Sequence, residues 1–132
     1  MTELFSKEWA QVYMEAWNSN YEITSALKKA GFNSVVAFGF HDEDAPNFVM
    51  TIENGDIVSV DKLPESAINW DIRASRENWL ALIAKPPGLM KLGMAYTSRK
   101  IRFKKGDYAT MIKDPDLAGA FVKSFGLMTQ VS

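Results

Sequence analysis

Few side chains in this 132-residue sequence have both the type and the spacing to do chemistry. The single histidine, His41, opens the run His41-Asp42-Glu43-Asp44. His41, Asp42 and Asp44 could form a metal site. Their spacing, however, is neither that of a zinc centre nor that of a calcium loop, and a solvated turn explains the run better. A Ser-His-Asp relay would have to use His41, and no serine sits in a nucleophile-elbow context. The glycine-bearing stretches contain neither the phosphate-binding loop nor the dinucleotide fingerprint. Asp71 and Asp107 could pair across a sheet as acid and base, although acids on strand faces and in turns are usually exposed. Tyr96 and Tyr108 could polarise a carbonyl, with packing beside a strand end as the alternative. These residues make no convincing catalytic set. They imply no cofactor, and a binding role gains by default.

Composition narrows the choice. Hydrophobic residues make up 47% and charged residues 23% of the chain, as expected for one globular domain. Fifteen basic and sixteen acidic residues leave a formal charge of −1, far from the basic excess of a protein that grips a nucleic-acid backbone. The absence of cysteine excludes disulfides, thiolate metal sites and thiol nucleophiles. It fits a reducing interior. The first residues lack a secretory pattern, no run is long enough to span a bilayer, and Thr129-Gln130-Val131-Ser132 is not a peroxisomal address. A cytoplasmic location is the expectation.

Periodicity supplies the elements. Phe5, Trp9, Val12, Tyr13, Ala16 and Trp17 have the spacing of an amphipathic helix capped by Ser6. A second helix is predicted from Glu22 to Ala30, stopped by Gly31. The stretch 34–40, SVVAFGF, reads as a strand buried on both faces. In NFVMTIENGDIVSV, Phe48, Met50 and Ile52 alternate with Val49 and Thr51, and Asn54-Gly55 then supplies a type I′ hairpin turn. Ile68, Trp70, Ile72 and Ala74 share one face of a strand, opposite Asn69, Asp71 and Arg73, so that strand is expected to be half-buried. Ser75 caps a helix over 76–84. A strand over 100–104 points Ile101 and Phe103 inward, and a helical turn follows over 108–112. The last helix starts at Asp114-Pro115 and carries Leu117, Phe121, Phe125 and Met128 on its apolar face. Runs of strands flanked by helices argue for an α+β fold.

Residues 86–96, PPGLMKLGMAY, are apolar and without an acid where a loop is normally polar. Leu89, Met90, Leu92 and Met94 could be packed core. They could also form a pliable wall, since methionine adapts to varied apolar shapes and Gly88 and Gly93 permit close approach.

The stretches INWDIRASRENWLALIAKPPGL and AYTSRKIRFKKGDYATMIK resemble the sterol carrier protein 2 family, the SCP2-like lipid-transfer domain. The shared pattern is a strand with Asp71 and Ile72, then Ser75 opening a short helix with Leu80 and Leu82, then a small-residue segment. A basic-alternating strand closed by Gly106-Asp107 and a final helix complete it. The resemblance covers roughly residues 32–128, with Gly-Asp as its sharp anchor. The family's glycine before the basic strand is replaced here by Ser98 or Arg99. With the peroxisomal address also missing, a small bacterial-type, free-standing member is indicated.

The resemblance implies a five-stranded, mostly antiparallel sheet with helices packed on one face around an apolar tunnel. It implies a single domain over residues 1–132, made of an N-terminal helical pair (1–31) and the sheet with its covering helices (32–128). Carried onto this sequence, the tunnel walls would be Trp79, Leu80, Ile83, Leu89, Met90, Leu92, Met94, Phe103, Phe121 and Phe125. The expected partner is a hydrophobic small molecule, fatty acyl or sterol-like, held without catalysis. Transient membrane contact remains open, because Arg99, Arg102, Lys104 and Lys105 could touch acidic lipid heads or simply form a solvated strand face. No nucleic acid is expected, and the oligomeric state is left open. Two alternatives stand: an interaction module using an exposed Met/Leu patch, or a small cavity enzyme using Asp71, Tyr96 or Asp107.

Overall fold

The computed structural model describes residues 3–131. Met1, Thr2 and Ser132, which the reading of the chain's two ends includes, lie outside the described residues. Helices α1 (Lys7–Asn18) and α2 (Tyr21–Lys29) come first. Strands β1 (Ser34–Phe40), β2 (Phe48–Glu53), β3 (Asp56–Ser59) and β4 (Trp70–Ala74) follow. Then come α3 (Arg76–Ala84), α4 (Leu89–Thr97), β5 (Arg102–Lys105), α5 (Tyr108–Lys113) and α6 (Pro115–Val131).

Local chemistry explains most boundaries. The side chains of Ser6, Asn20, Ser75 and Asp107 each accept a backbone N–H at a helix start. Asn54 and Gly55 both take positive φ, as a type I′ turn between β2 and β3 requires. The greasy segment is helix α4 rather than a loop. Gly88 stands before it, and its backbone continues from Pro86-Pro87, which ended α3. Arg99 takes the left-handed φ of 64° just after α4, with Lys100 N–H closing onto the Ala95 carbonyl at 2.9 Å. Arg99 therefore occupies the position where glycine costs least.

The five strands form one sheet in the order β3-β2-β1-β4-β5. Only the central β1–β4 pair is parallel, running from Val36 opposite Trp70 to Phe40 opposite Ala74, and the other three pairs are antiparallel. Alternation along β1, β2 and β4 puts Val36, Phe38, Phe40, Phe48, Met50, Ile52, Ile72 and Ala74 into one cluster. That cluster also holds Trp9 and Tyr13 of α1, Leu27 of α2, Trp79 of α3, Leu92 of α4, Met111 of α5 and Phe125 of α6. All six helices thus contribute to the same face.

The other face corrects the sequence expectation that β4 is half-buried. Asp71 and Arg73 are as buried as Ile72 between them. Two residues apart on a strand, they point the same way and pair, Arg73 Nε donating to Asp71 Oδ1 at 2.6 Å and Nη2 to Oδ2 at 3.0 Å. Nη1 donates to the carbonyls of Phe40 (3.2 Å) and Glu43 (2.7 Å), and Nη2 also reaches the carbonyl of Asp44 (3.2 Å). All five guanidinium donors are used. The loop carrying His41 is thereby folded over the back of the sheet. Gly39 makes room, since a Cβ there would stand 3.3 Å from Arg73 Cδ and Nε and 2.9 Å from Pro46 Cα.

Removing one partner of such a pair strands the other. Arg73→Met should therefore lose about 3–5 kcal/mol in urea denaturation, whereas Asp71→Val/Arg73→Met together should lose clearly less. Equal losses would show that the charge pair is not what matters there.

Candidate functional site

An apolar cavity of about 50 Å³, measured as space reachable by the centre of a water molecule, lies between the sheet and its helical cover. Val36, Phe38, Met50, Ile52, Trp70 and Ile72 form its floor. Trp17, Leu27 and Phe32 close one side, and Met111, Leu117, Ala120, Phe121 and Ser124 form the roof. Its polar atoms are already satisfied. The Ser124 hydroxyl donates to the Phe121 carbonyl at 2.5 Å, and the Ser124 carbonyl accepts the Tyr13 hydroxyl at 3.1 Å. Such a lining offers a ligand only dispersion and the hydrophobic effect.

The space exists because α6 presents Ala120 and Ser124 where larger residues would meet Met50 and Ile52. The roof is unevenly fixed. α6 is tied by Thr129 Oγ1 donating to the Ile83 carbonyl (2.6 Å) and by the Tyr13 bond. α5 has six residues and buries only Met111. Gly106, at φ 92°, lets the turn before α5 close on the Trp70 ring, and Asp107 then caps α5. The Asp107 carboxyl is held below its usual range, chiefly by the 2.6 Å hydrogen bond from the Thr110 hydroxyl. The sharp Gly-Asp anchor of the sequence is thus the tight turn that joins β5 to the roof.

Of the ten residues that the resemblance placed on the tunnel walls, Phe121 lines this cavity. Trp79, Ile83, Leu92 and Phe125 are buried in the surrounding core, and Phe103 is half-buried against Tyr96, Tyr108 and Phe121. Leu80, Leu89, Met90 and Met94 face solvent, Met90 with 82% of its surface exposed. The ten are therefore not brought together. The cavity residues that the sequence reading left out were partly legible. Met50, Ile52, Trp70 and Ile72 belong to alternating faces visible in the sequence. Leu27, Ala120 and Ser124 carry no local signal.

The catalytic candidates are dispersed. Asp71 is taken up by Arg73 on the back of the sheet, and Asp107 caps α5. Tyr96 and Tyr108 stack at 4.1 Å, and partial burial pushes the Tyr108 hydroxyl up. No group of three metal-ligating side chains exists among the described residues, so His41, Asp42 and Asp44 form no such site. No helix among the described residues is long and apolar enough to cross a membrane.

A mixed five-stranded sheet with all its helices on one face, and an apolar cavity between the two layers, defines an SCP2-like fold. Superposition makes this specific. The crystal structure of sterol carrier protein 2 matches with a TM-score of 0.76 at 18% identity, covering 98% of this chain and 100% of that one. The solution structure of the conserved hypothetical protein TT1886 of Thermus thermophilus matches with a TM-score of 0.70 at 18% identity, covering 100% and 92%. A ubiquinone synthesis protein, UbiJ-SCP2, matches with a TM-score of 0.60 at 9% identity, covering 97% and 91%. No protein-family model and no curated protein matches the sequence.

The bond beneath Ser124 gives a pH test. Burial among Trp9, Trp17 and Phe48 pushes the Tyr13 hydroxyl far above its ordinary value of 10.0. The folded protein keeps this proton where the unfolded chain releases it. The contribution to stability is complete below pH 10 and declines above it, by about 1.4 kcal/mol per pH unit. In urea denaturation between pH 9 and 11.5, Tyr13→Phe should show a shallower decline than the wild type. Parallel slopes would refute the assignment.

Proposed function

We propose that this protein is a non-enzymatic binder and carrier of a lipid-like hydrophobic molecule, taken up between the sheet and the α5–α6 roof. The observation that supports this most is the cavity itself, lined by apolar side chains and Ser124, with no polar atom left to select a polar ligand. The comparison proteins support it in their names, since a sterol carrier and a ubiquinone synthesis protein both concern water-insoluble molecules.

A cavity of 50 Å³ admits about four waters, far less than a long hydrocarbon. Uptake therefore requires the roof to lift. α5 is the element to move, because it anchors itself with one buried side chain. Burying about twelve methylenes gives roughly 10 kcal/mol gross. Lost freedom costs about 4 kcal/mol or more, and lifting the roof costs further, which leaves micromolar or weaker affinity. One methylene discriminates by about tenfold, so the site tolerates many shapes.

Trp17 and Trp70 both line the cavity and report on occupancy. A brominated long-chain fatty acid should quench their fluorescence saturably. Ala120→Phe, which fills the space under α6, should weaken that quenching at least tenfold while circular dichroism stays that of the wild type. Native mass spectrometry of freshly purified protein should show adducts in the lipid mass range that disappear on denaturation. A bare mass, with no quenching by the brominated acid, would sink the reading.

A further inference from the structure

The 29 residues from Asn78 to Gly106 contain seven of the chain's fifteen basic residues and none of its sixteen acidic ones. The rest of the molecule therefore carries a net charge of −8. The same stretch holds five of the nine large apolar side chains that are exposed among the described residues: Leu80, Leu89, Met90, Met94 and Tyr96. Both properties meet on α4. This helix fixes itself to the core through Leu92 and Ala95 and turns Leu89, Met90, Lys91 and Met94 to solvent.

Two clefts flank α4, and both are basic. One runs between α3 and α4 and is lined by Leu82, Pro87 and Met94 with Lys85, Lys91 and Lys100. The other, beyond its C-terminal end, is lined by Tyr96 and Phe103 with Arg73, Arg99, Arg102 and Lys104, and carries Glu43 and His41 at its margin. Arg73 is bound to Asp71, and Lys104 and Lys105 donate to backbone carbonyls of Asp44, Glu65 and Ile68. Lys85, Lys91, Arg99, Lys100 and Arg102 are exposed, and none forms an ion pair among the described residues. Arg99 stands at a left-handed φ that glycine would adopt without strain, so its side chain is accommodated there at a cost to the backbone.

We infer that α4 and its basic flanks are a docking surface for an anionic membrane, with Met90, Met94 and Leu89 entering the interface and the five free cations meeting the lipid headgroups. Apolar residues on the exposed face of a helix, bordered by lysine and arginine with Glu43 the one acid among the residues lining the two clefts, are what an interfacial helix needs. An acidic protein partner would be matched by charge alone, whereas Met90 and Met94 at 82% and 64% exposure add an apolar component suited to acyl chains. The surface does not depend on the carrier reading, since none of its exposed apolar residues lines the cavity.

Flotation of the full chain with two kinds of vesicle tests this: phosphatidylcholine alone, and two parts phosphatidylcholine to one part phosphatidylserine. Binding is expected to the anionic vesicles only, falling steeply as salt rises to about 0.5 M. Lys85→Glu/Lys91→Glu and Met90→Ser/Met94→Ser should each reduce the partition coefficient at least tenfold, while Val58→Ser, an exposed apolar change on β3, should leave it unchanged. Arg99→Gly keeps the turn and relieves its backbone, so the melting temperature should rise while vesicle binding falls. This variant separates the surface from the stability of the fold. Equal binding to both vesicles would overturn the inference, as would unchanged binding by either double variant. Loss of fatty-acid quenching with vesicle binding intact would count against the carrier reading alone.

Discussion

The guanidinium of Arg73 fixes what each side of the sheet can do. Its five donors are spent on one carboxylate and three carbonyls, all on the back of the two central strands. A buried ion pair of this kind adds little net stability over an apolar substitute, because desolvation offsets the attraction. Its effect is on specificity. A slip of one residue in the β1–β4 register would turn Asp71 and Arg73 together toward Phe38 and Trp79 and take the guanidinium away from the carbonyls of Phe40, Glu43 and Asp44. In the observed register those carbonyls are reached and Gly39 lies under the arginine. With the back of the sheet closed by a loop, an ion pair and the small cluster of Ala37, Val49 and Ile68, the large apolar side chains gather on the other face.

That one-sidedness leads to the cavity. Six helices covering a single twisted face cannot all approach it equally closely. Helices α1 and α3 are locked by an aromatic cluster in which Phe5, Trp9, Phe38, Phe48 and Trp79 make edge and stacked contacts at 5.3–5.9 Å. Trp79 Nε1 also donates to the Gly39 carbonyl at 2.8 Å, which ties α3 to the centre of β1. Away from this cluster, toward β4 and the Met111 end of the roof, α6 contributes the small Ala120 and Ser124 between Leu117 and Phe121. Protein interiors are ordinarily filled to crystal density, and a void forfeits dispersion contacts on every wall. The gap beneath Ala120 and Ser124 is thus a local cost that the tightly packed half of the molecule can carry.

Local signals made most of the fold legible in the sequence. Asn54-Gly55, the caps at Ser6 and Ser75, and the proline after Asp114 mark turns and helix starts whose chemistry acts over three or four residues. The resemblance supplied the five-stranded sheet with helices on one face, and what escaped was the detail that depends on particular residues far apart. Alternation in INWDIRA distinguishes two faces of a strand, but it does not tell that the polar face is covered, because the cover comes from the loop after Phe40. The apolar segment after Pro86-Pro87 resisted assignment because Leu92 and Ala95 alone bury. Its other apolar residues imitate a core pattern while facing water. The strand residues under the cavity show in the alternation, but the cavity itself does not, because Leu27, Met50 and Ala120 meet only once the helices pack on the sheet.

The distinction between α4 and the cavity resolves why so apolar a segment need not line the interior. Leu92 and Ala95 are enough to hold a nine-residue helix against the core, so Met90 and Met94 contribute nothing to folding in their present places. Exposed apolar surface of this kind favours association and has no compensating role in an isolated domain. An aromatic path leads inward from the same helix: Tyr96 meets Phe103 at 5.7 Å, and Phe103 meets Phe121 at 5.8 Å, on the cavity wall. Tyr108 of α5 stacks on Tyr96 and packs edge-on against Phe103. Rings in direct contact therefore connect α4 with α5 and with the cavity wall. The exposed apolar residues of α4 and the residues lining the inner space are distinct sets, and the rings of Tyr96, Phe103 and Tyr108 lie between them.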